Sequence, residues 1–212
     1  MIELFVFDWS GTISNDARPV YESNIRILEK YGKKKFSFEE WRSKSTASVV
    51  EIMQNEGIEE EPEIIRKLYH KFLNMVIEEG IRPFIYPDAK DVLGFLNSDG
   101  RILTVLSTHP RENLVREAES YDVAGFFDLI QGEAKDKAPA LEEMCAKFGI
   151  QQSATLFTGD TIYDIRAAKK ARVVSAAVCT GYHTRERLEK ENPCYVFENL
   201  ADLSSVNLHQ LP

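Results

Sequence analysis

The chain has 212 residues, of which 43% are apolar, and a formal net charge of −8. That apolar share can fill a real core and argues against disorder, and the length suits one domain with an insertion or one large and one small domain. The negative balance argues against non-specific nucleic-acid binding, and any site for an anionic substrate would need cations of its own.

No apolar stretch approaches the ~18 residues of a membrane span. Met1 runs directly into a strand-like segment instead of a leader. The expectation is a soluble, cytoplasmic protein without membrane or nucleic-acid partners. Cys145, Cys179 and Cys194 are odd in number and lack metal-type spacing, so they read as reduced thiols.

In chain order, the first element is the apolar, β-branched and aromatic run that ends at Asp8, followed by a turn at Gly11-Thr12. Ligands of open α/β sheets bind beyond the carboxyl ends of strands, which puts Asp8 at the mouth of a crevice. The next seventy or so residues read as helical. Val20, Ile25, Ile27 and Leu28 stripe one segment that stops at Gly32, and Ser37-x-x-Glu40 is a capping box. Val49, Val50, Ile52 and Met53 stripe a third segment, and Pro62 opens a fourth that carries Ile64, Leu68, Phe72 and Val76.

From residue 87 onward helices and strands alternate. Helices are expected at 89–97, 111–121, 139–148, 164–171 and 184–191, and strands at 102–106, 126–130, 155–158, 173–178 and 195–197. Repeated βα units imply an α/β fold, a Rossmann-like doubly wound parallel sheet. The core is expected at 1–15 and 86–212, with an inserted all-helical cap domain at 16–85 hanging over the tip of the first strand.

Three further strand ends carry chemistry. Ser107-Thr108 offers two hydroxyls that, with helix N–H groups, can hold a phosphate. Lys135 and Lys137 sit where a helix begins, an unfavourable place for a cation unless an anion faces it. Gly159-Asp160 closes a strand and Asp164 opens the next helix, giving two carboxylates near one point that repel unless a cation offsets them.

Taken in order, Asp8-x-Ser10-Gly11-Thr12, Ser107, Lys137-Ala-x-x-Leu and Gly159-Asp160-x-x-x-Asp164 resemble the four motifs of the haloacid dehalogenase (HAD)-like hydrolase superfamily. The branch they are most similar to is the phosphoglycolate phosphatase and phosphonatase-like one, with an inserted helical cap. The resemblance implies a phosphatase acting on a small phosphorylated metabolite through an aspartyl-phosphate at Asp8. It implies Mg²⁺ held by Asp8, the Ser10 backbone carbonyl and Asp160, with Asp164 acting through water or by orienting Lys137. It also implies phosphate-binding roles for Thr12, Ser107 and Thr108, and charge neutralisation by Lys137, with Lys135 the alternative.

One position departs from the family pattern. Ser10 stands where the family has a second Asp that serves as general acid and base. A hydroxyl is a poor substitute, and loss of a positioned acid or base costs about 10²–10⁴ in rate. Asp16, His70 and His109 are candidate replacements. Alternatives are a phosphonoacetaldehyde hydrolase-like enzyme, with Lys44 as its Schiff-base lysine, or a catalytically impaired phosphoryl-binding or regulatory protein. Arg18, Tyr21 and the 44–48 loop are candidate substrate contacts. A monomer and a homodimer are both compatible with the sequence.

Overall fold

A computed structural model describes residues 1–205. The expected core range ran to 212, so its last seven residues lie outside the described ones. Six strands form one parallel sheet: β1 (Leu4–Phe7), β2 (Ile102–Leu106), β3 (Leu129–Gln131), β4 (Thr155–Gly159), β5 (Val174–Val178) and β6 (Tyr195–Phe197). Their order is β3-β2-β1-β4-β5-β6, the expected doubly wound, Rossmann-like arrangement. β1 lies between β2 and β4, with Phe7 in register with Val105 on one side and Thr158 on the other. The chain therefore reverses its direction of winding beside β1, and the crevice this creates lies just past Phe7.

The strands are mostly apolar because both faces of the sheet are covered. Phe5 and Phe7 point to one face, where they meet Val92, Leu93 and Leu96 of α5 (Ala89–Ser98) and Leu114 of α6 (Arg111–Ser120). Leu4 and Val6 point to the other, against Leu141 and Met144 of α7 (Lys137–Phe148) and Ala167 and Ala168 of α8 (Ile162–Ala171). A two-residue period on β1 thus serves two separate apolar layers.

Helices α7 and α8 each begin two residues earlier than the apolar pattern alone predicts. Asp136 caps α7 by accepting from the Ala138 N–H at 3.1 Å. Thr161 and Asp164 form a capping box at the start of α8. Polar caps extend a helix beyond its apolar stripe. The predicted strand at 126–130 divides into a 3₁₀ turn (Ala124–Phe126) and the short β3.

Between β1 and α5 lie four helices: α1 (Ala17–Lys30), α2 (Phe38–Lys44), α3 (Val49–Asn55) and α4 (Pro62–Glu78). Ile27, Leu28, Trp41, Met53 and Ile65 give them an apolar cluster of their own, which also takes in Tyr182 from the loop after β5. The Ser37–Glu40 capping box forms as its spacing predicts. The chain leaves for these helices and returns from them at one place: Asn15 N–H donates to Phe84 O at 2.7 Å, and Tyr86 N–H to Ile13 O at 3.0 Å. Among the described residues no helix is long and apolar enough to cross a membrane. Two further helices among the described residues are α9 (Arg185–Lys190) and α10 (Asp202–Ser205).

Candidate active site

Asp8 follows β1 directly, and its N–H donates to Thr158 O of β4 at 2.8 Å, so the strand pairing itself fixes the start of the site. The chain then turns sharply, with the N–H groups of Ile13 and Ser14 both donating to Trp9 O. Gly11 takes a φ of +72° in this turn, and a Cβ there would lie 2.2 Å from Asp160 Oδ2. Glycine is therefore required on both conformational and steric grounds.

Lys137 opens α7, and its side chain, 11% exposed, lies between two carboxylates. Its Nζ lies 2.8 Å from Asp8 Oδ1 and 2.7 Å from Asp164 Oδ1. Of the two lysines the sequence leaves open, Lys137 makes both contacts. The other oxygen of Asp164 accepts from Thr161 Oγ1 at 2.6 Å and from Thr161 N–H at 3.1 Å, so the helix cap holds this carboxylate still. Asp160, at the tip of β4, is fully buried. Its Oδ2 accepts from the Tyr182 N–H at 2.6 Å, and Thr12 Oγ1 reaches Oδ1 at 3.4 Å. Thr12 thus braces a carboxylate of the cluster and, like Asp160, does not line the cavity itself.

One ligand oxygen from each of Asp8, Asp160 and Asp164 can be chosen so that all lie within 4.8 Å of one another. Burial pushes the Asp8 carboxyl above its ordinary value, with Lys137 pulling the other way. Burial also pushes Asp160 well up, reinforced by the charges of Asp8 and Asp164. Burial alone would lower Lys137, but Asp164 and Asp8 outweigh it and hold the ammonium above its usual range. Three buried carboxylates against one ammonium leave positive charge lacking. Hard oxygens in such a cluster are the donor set of a small divalent cation, so the residues fit a metal.

A cavity of about 700 Å³ lies over this cluster. Its floor includes Asp8, Ser10, Ser107, Thr108, His109, Lys137 and Asp164, and its opposite wall comes from the helical segment, with Val20, Asn24, Trp41, Ile52, Arg66 and His70. Ser107 is buried at the tip of β2 and its Oγ accepts from the His109 N–H at 3.3 Å, while Thr108 is exposed beside it. Ser10 Oγ lies 3.3 Å from His109 Nε2. Asp16 is buried behind the turn, accepts from the Gly11 N–H at 3.1 Å, and is pushed up by burial to about 6.

Lys44 lies elsewhere. Its Nζ is 3.0 Å from Glu56 and 4.2 Å from the centre of the Phe36 ring, outside the cavity wall. A Schiff base at Lys44 would require a substrate carbonyl to reach a lysine already held by an ion pair and a ring. Arg18 and Tyr21 likewise serve the helical segment: Arg18 pairs with Glu22, and Tyr21 donates to Phe36 O at 2.7 Å.

No motif pointed to His183, which is 1% exposed and accepts from the Ile162 N–H at 3.0 Å through Nδ1. Burial, aided by the Arg187 charge, holds the imidazole neutral down to about 3, against an ordinary 6.5. Below pH 6.5 the unfolded chain therefore takes up a proton that the folded one refuses. Stability present above pH 6.5 is lost as the pH falls towards 3, at up to about 1.4 kcal/mol per pH unit. His183→Gln should flatten this part of the slope in urea melts run with EDTA between pH 7 and 5. Equal slopes would mean that His183 does not carry it.

The sequence profile of the family described as haloacid dehalogenase-like hydrolase matches residues 5–178. The chain belongs to this family. The HAD-like chain is 31% identical to a phosphoglycolate phosphatase from Salmonella choleraesuis over 150 residues, covering 68% of this chain and 59% of that one. It is 29% identical to a phosphoglycolate phosphatase from Salmonella typhi over 174 residues, 77% of this chain and 68% of that one. The chain thus matches over only about three fifths of the length of the first of these relatives. In fold it is similar to a haloacid dehalogenase-like family hydrolase from Streptococcus pneumoniae, with a TM-score of 0.80 at 17% identity over 96% of this chain and 97% of that one. A hydrolase from Pseudomonas syringae gives a TM-score of 0.73 at 15% identity, covering 96% of each chain.

Proposed function

We propose that this HAD-like protein is a Mg²⁺-dependent phosphatase that hydrolyses a small phosphorylated metabolite through an aspartyl-phosphate at Asp8. The observation that carries the reading is the position of the Asp8 carboxylate: on the cavity floor, paired with Lys137 and grouped with Asp160 and Asp164. Asp8, the Ser10 backbone carbonyl and Asp160 would hold the ion, with Asp164 orienting Lys137. Bound Mg²⁺ would offset the charge of this cluster and of the substrate phosphate.

Asp8 attacks phosphorus as the bond to the leaving oxygen breaks, and that oxygen takes up a proton. Water then attacks the aspartyl-phosphate, releasing inorganic phosphate and restoring the carboxylate. Lys137 holds Asp8 in place and neutralises charge throughout. Ser107 and Thr108 offer hydroxyls to the phosphate from the tip of β2. Residues 16–85 act as a lid over the core formed by 1–15 and the chain from 86 onward.

The proton for the leaving oxygen comes from His109, which faces the cavity beside Ser10. Ser10→Asp supplies the acid that the family pattern has at this position. It should raise turnover of alkyl phosphates at least tenfold, against a smaller gain on p-nitrophenyl phosphate, whose leaving group needs no proton. A fall on both substrates would assign Ser10 a different role.

The cavity volume suits a small metabolite. Asn24 and the Trp41 indole N–H belong to its wall and make no hydrogen bond within the protein, so they are where polar atoms of the leaving group would be held. The names of the relatives make phosphoglycolate the first ester to try. A panel of phosphate esters and phosphonates, run with Mg²⁺ and with EDTA, tests the reading. Metal-dependent release of inorganic phosphate supports it, and no turnover of any ester overturns it.

A further inference from the structure

An arginine of the helical segment grips the backbone of the loop after β5 at three points. Arg42 of α2 donates through Nε to Gly181 O at 2.7 Å, and through one terminal nitrogen to Cys179 O at 2.8 Å and His183 O at 2.7 Å. Its side chain is 13% exposed. Three carbonyl acceptors on one guanidinium fix both the position and the tilt of the loop backbone.

The carbonyl that Nε grips belongs to the peptide group whose N–H faces the acidic cluster. Gly181 O and Tyr182 N are two ends of one planar unit, and Tyr182 N–H donates to Asp160 Oδ2 at 2.6 Å. A cation at the carbonyl end and a carboxylate at the amide end polarise this peptide in the same direction, so each bond strengthens the other. Among the described residues no other hydrogen bond holds the Asp160 carboxylate as closely, since Thr12 Oγ1 is 3.4 Å away. A Cβ on Gly181 would lie 2.0 Å from Asp160 Oδ2, so the backbone approaches as near as it can only because residue 181 has no side chain.

We propose that Arg42 is a positioning residue for Asp160, acting through the Gly181–Tyr182 peptide. A side chain of the helical segment thereby sets the orientation of a carboxylate in the core cluster. The inference rests on the reading of that cluster as a Mg²⁺ site. Outer partners that orient metal ligands typically change affinity 10–100-fold when removed.

The test is Mg²⁺ binding to the substrate-free, full-length protein by titration calorimetry, beside thermal melts in EDTA. Arg42→Met keeps the apolar stem and removes the donors, and it should weaken Mg²⁺ binding about tenfold. Ser45→Ala removes a different tie to the same loop, from Ser45 Oγ to Tyr182 O at 2.7 Å. It should leave the affinity within about twofold, because that carbonyl belongs to the next peptide. A folded Arg42→Met protein with wild-type affinity overturns the proposal, as does equal weakening by Ser45→Ala. A lower melting temperature with unchanged affinity assigns Arg42 a purely structural role. Should Arg42→Met fail to fold, Arg42→Lys is read by the same criteria, with an intermediate loss of affinity expected. Wild-type protein that does not bind Mg²⁺ at all would defeat the metal reading itself, which is a separate outcome.

Discussion

Asp8→Asn should abolish Mg²⁺-dependent phosphate-ester hydrolysis, with a loss of about 10⁴-fold or more, as expected when a covalent nucleophile is removed. The amide keeps the size of the carboxylate and can still accept from Lys137, so the geometry around the turn should survive. The same change should not destabilise the metal-free protein. Burial already holds the Asp8 carboxyl above its ordinary value in spite of Lys137, and a carboxyl with a raised folded-state pKa loses stability as the pH rises through it. Asn removes that loss. Melts in EDTA at pH 7.5 should therefore place Asp8→Asn at or above wild type. Activity that survives the substitution rejects Asp8 as the nucleophile, and a large drop in stability rejects this account of the charge balance.

Lys137→Met should act on both counts. It leaves Asp8, Asp160 and Asp164 facing one another without the ammonium now 2.8 Å and 2.7 Å from the first and last of them. Removing one partner of a buried ion pair costs about 3–5 kcal/mol. For a chain of this size that corresponds to roughly 6–20 °C of melting temperature. The sign with pH follows from the raised carboxyls of Asp8 and Asp160: protonation relieves their repulsion, so the deficit in EDTA should be larger at pH 8 than at pH 5. Hydrolysis should fall by at least about 10²-fold even at saturating Mg²⁺, since on the proposed function the metal and the lysine would neutralise different atoms. A variant that melts with wild type at pH 8 would show that Lys137 does not carry the charge balance.

The strands were legible because each is a short apolar run that stops at a polar residue, and parallel pairing turns those stops into one line of strand tips. The acidic cluster was legible for the same reason, since Asp8 and Asp160 each stand one residue past a strand. The choice between Lys135 and Lys137 was not, because it depends on where α7 begins, and Asp136 sets that by capping. Arg42 was invisible in the sequence. A charged residue on a short amphipathic helix reads as solvated, and its three carbonyl acceptors lie about 140 positions away. The approach of His109 to Ser10 is also hidden, because it comes from the side-by-side pairing of β1 and β2. Lys44 is a further case. Its position between two helices suggested a place over the site, but an acidic partner one helix further along holds it aside.

The pairing of residues 13–15 with 84–86 closes the sheet's first connection before the four helices begin. The central strand is thereby insulated from whatever is spliced between those two points. Segments of other lengths and shapes could occupy the gap without shifting the alignment of Phe7 with Val105 and Thr158. On the proposed function, the segment that would select the substrate can diverge, while the residues that would carry out the chemistry stay in register.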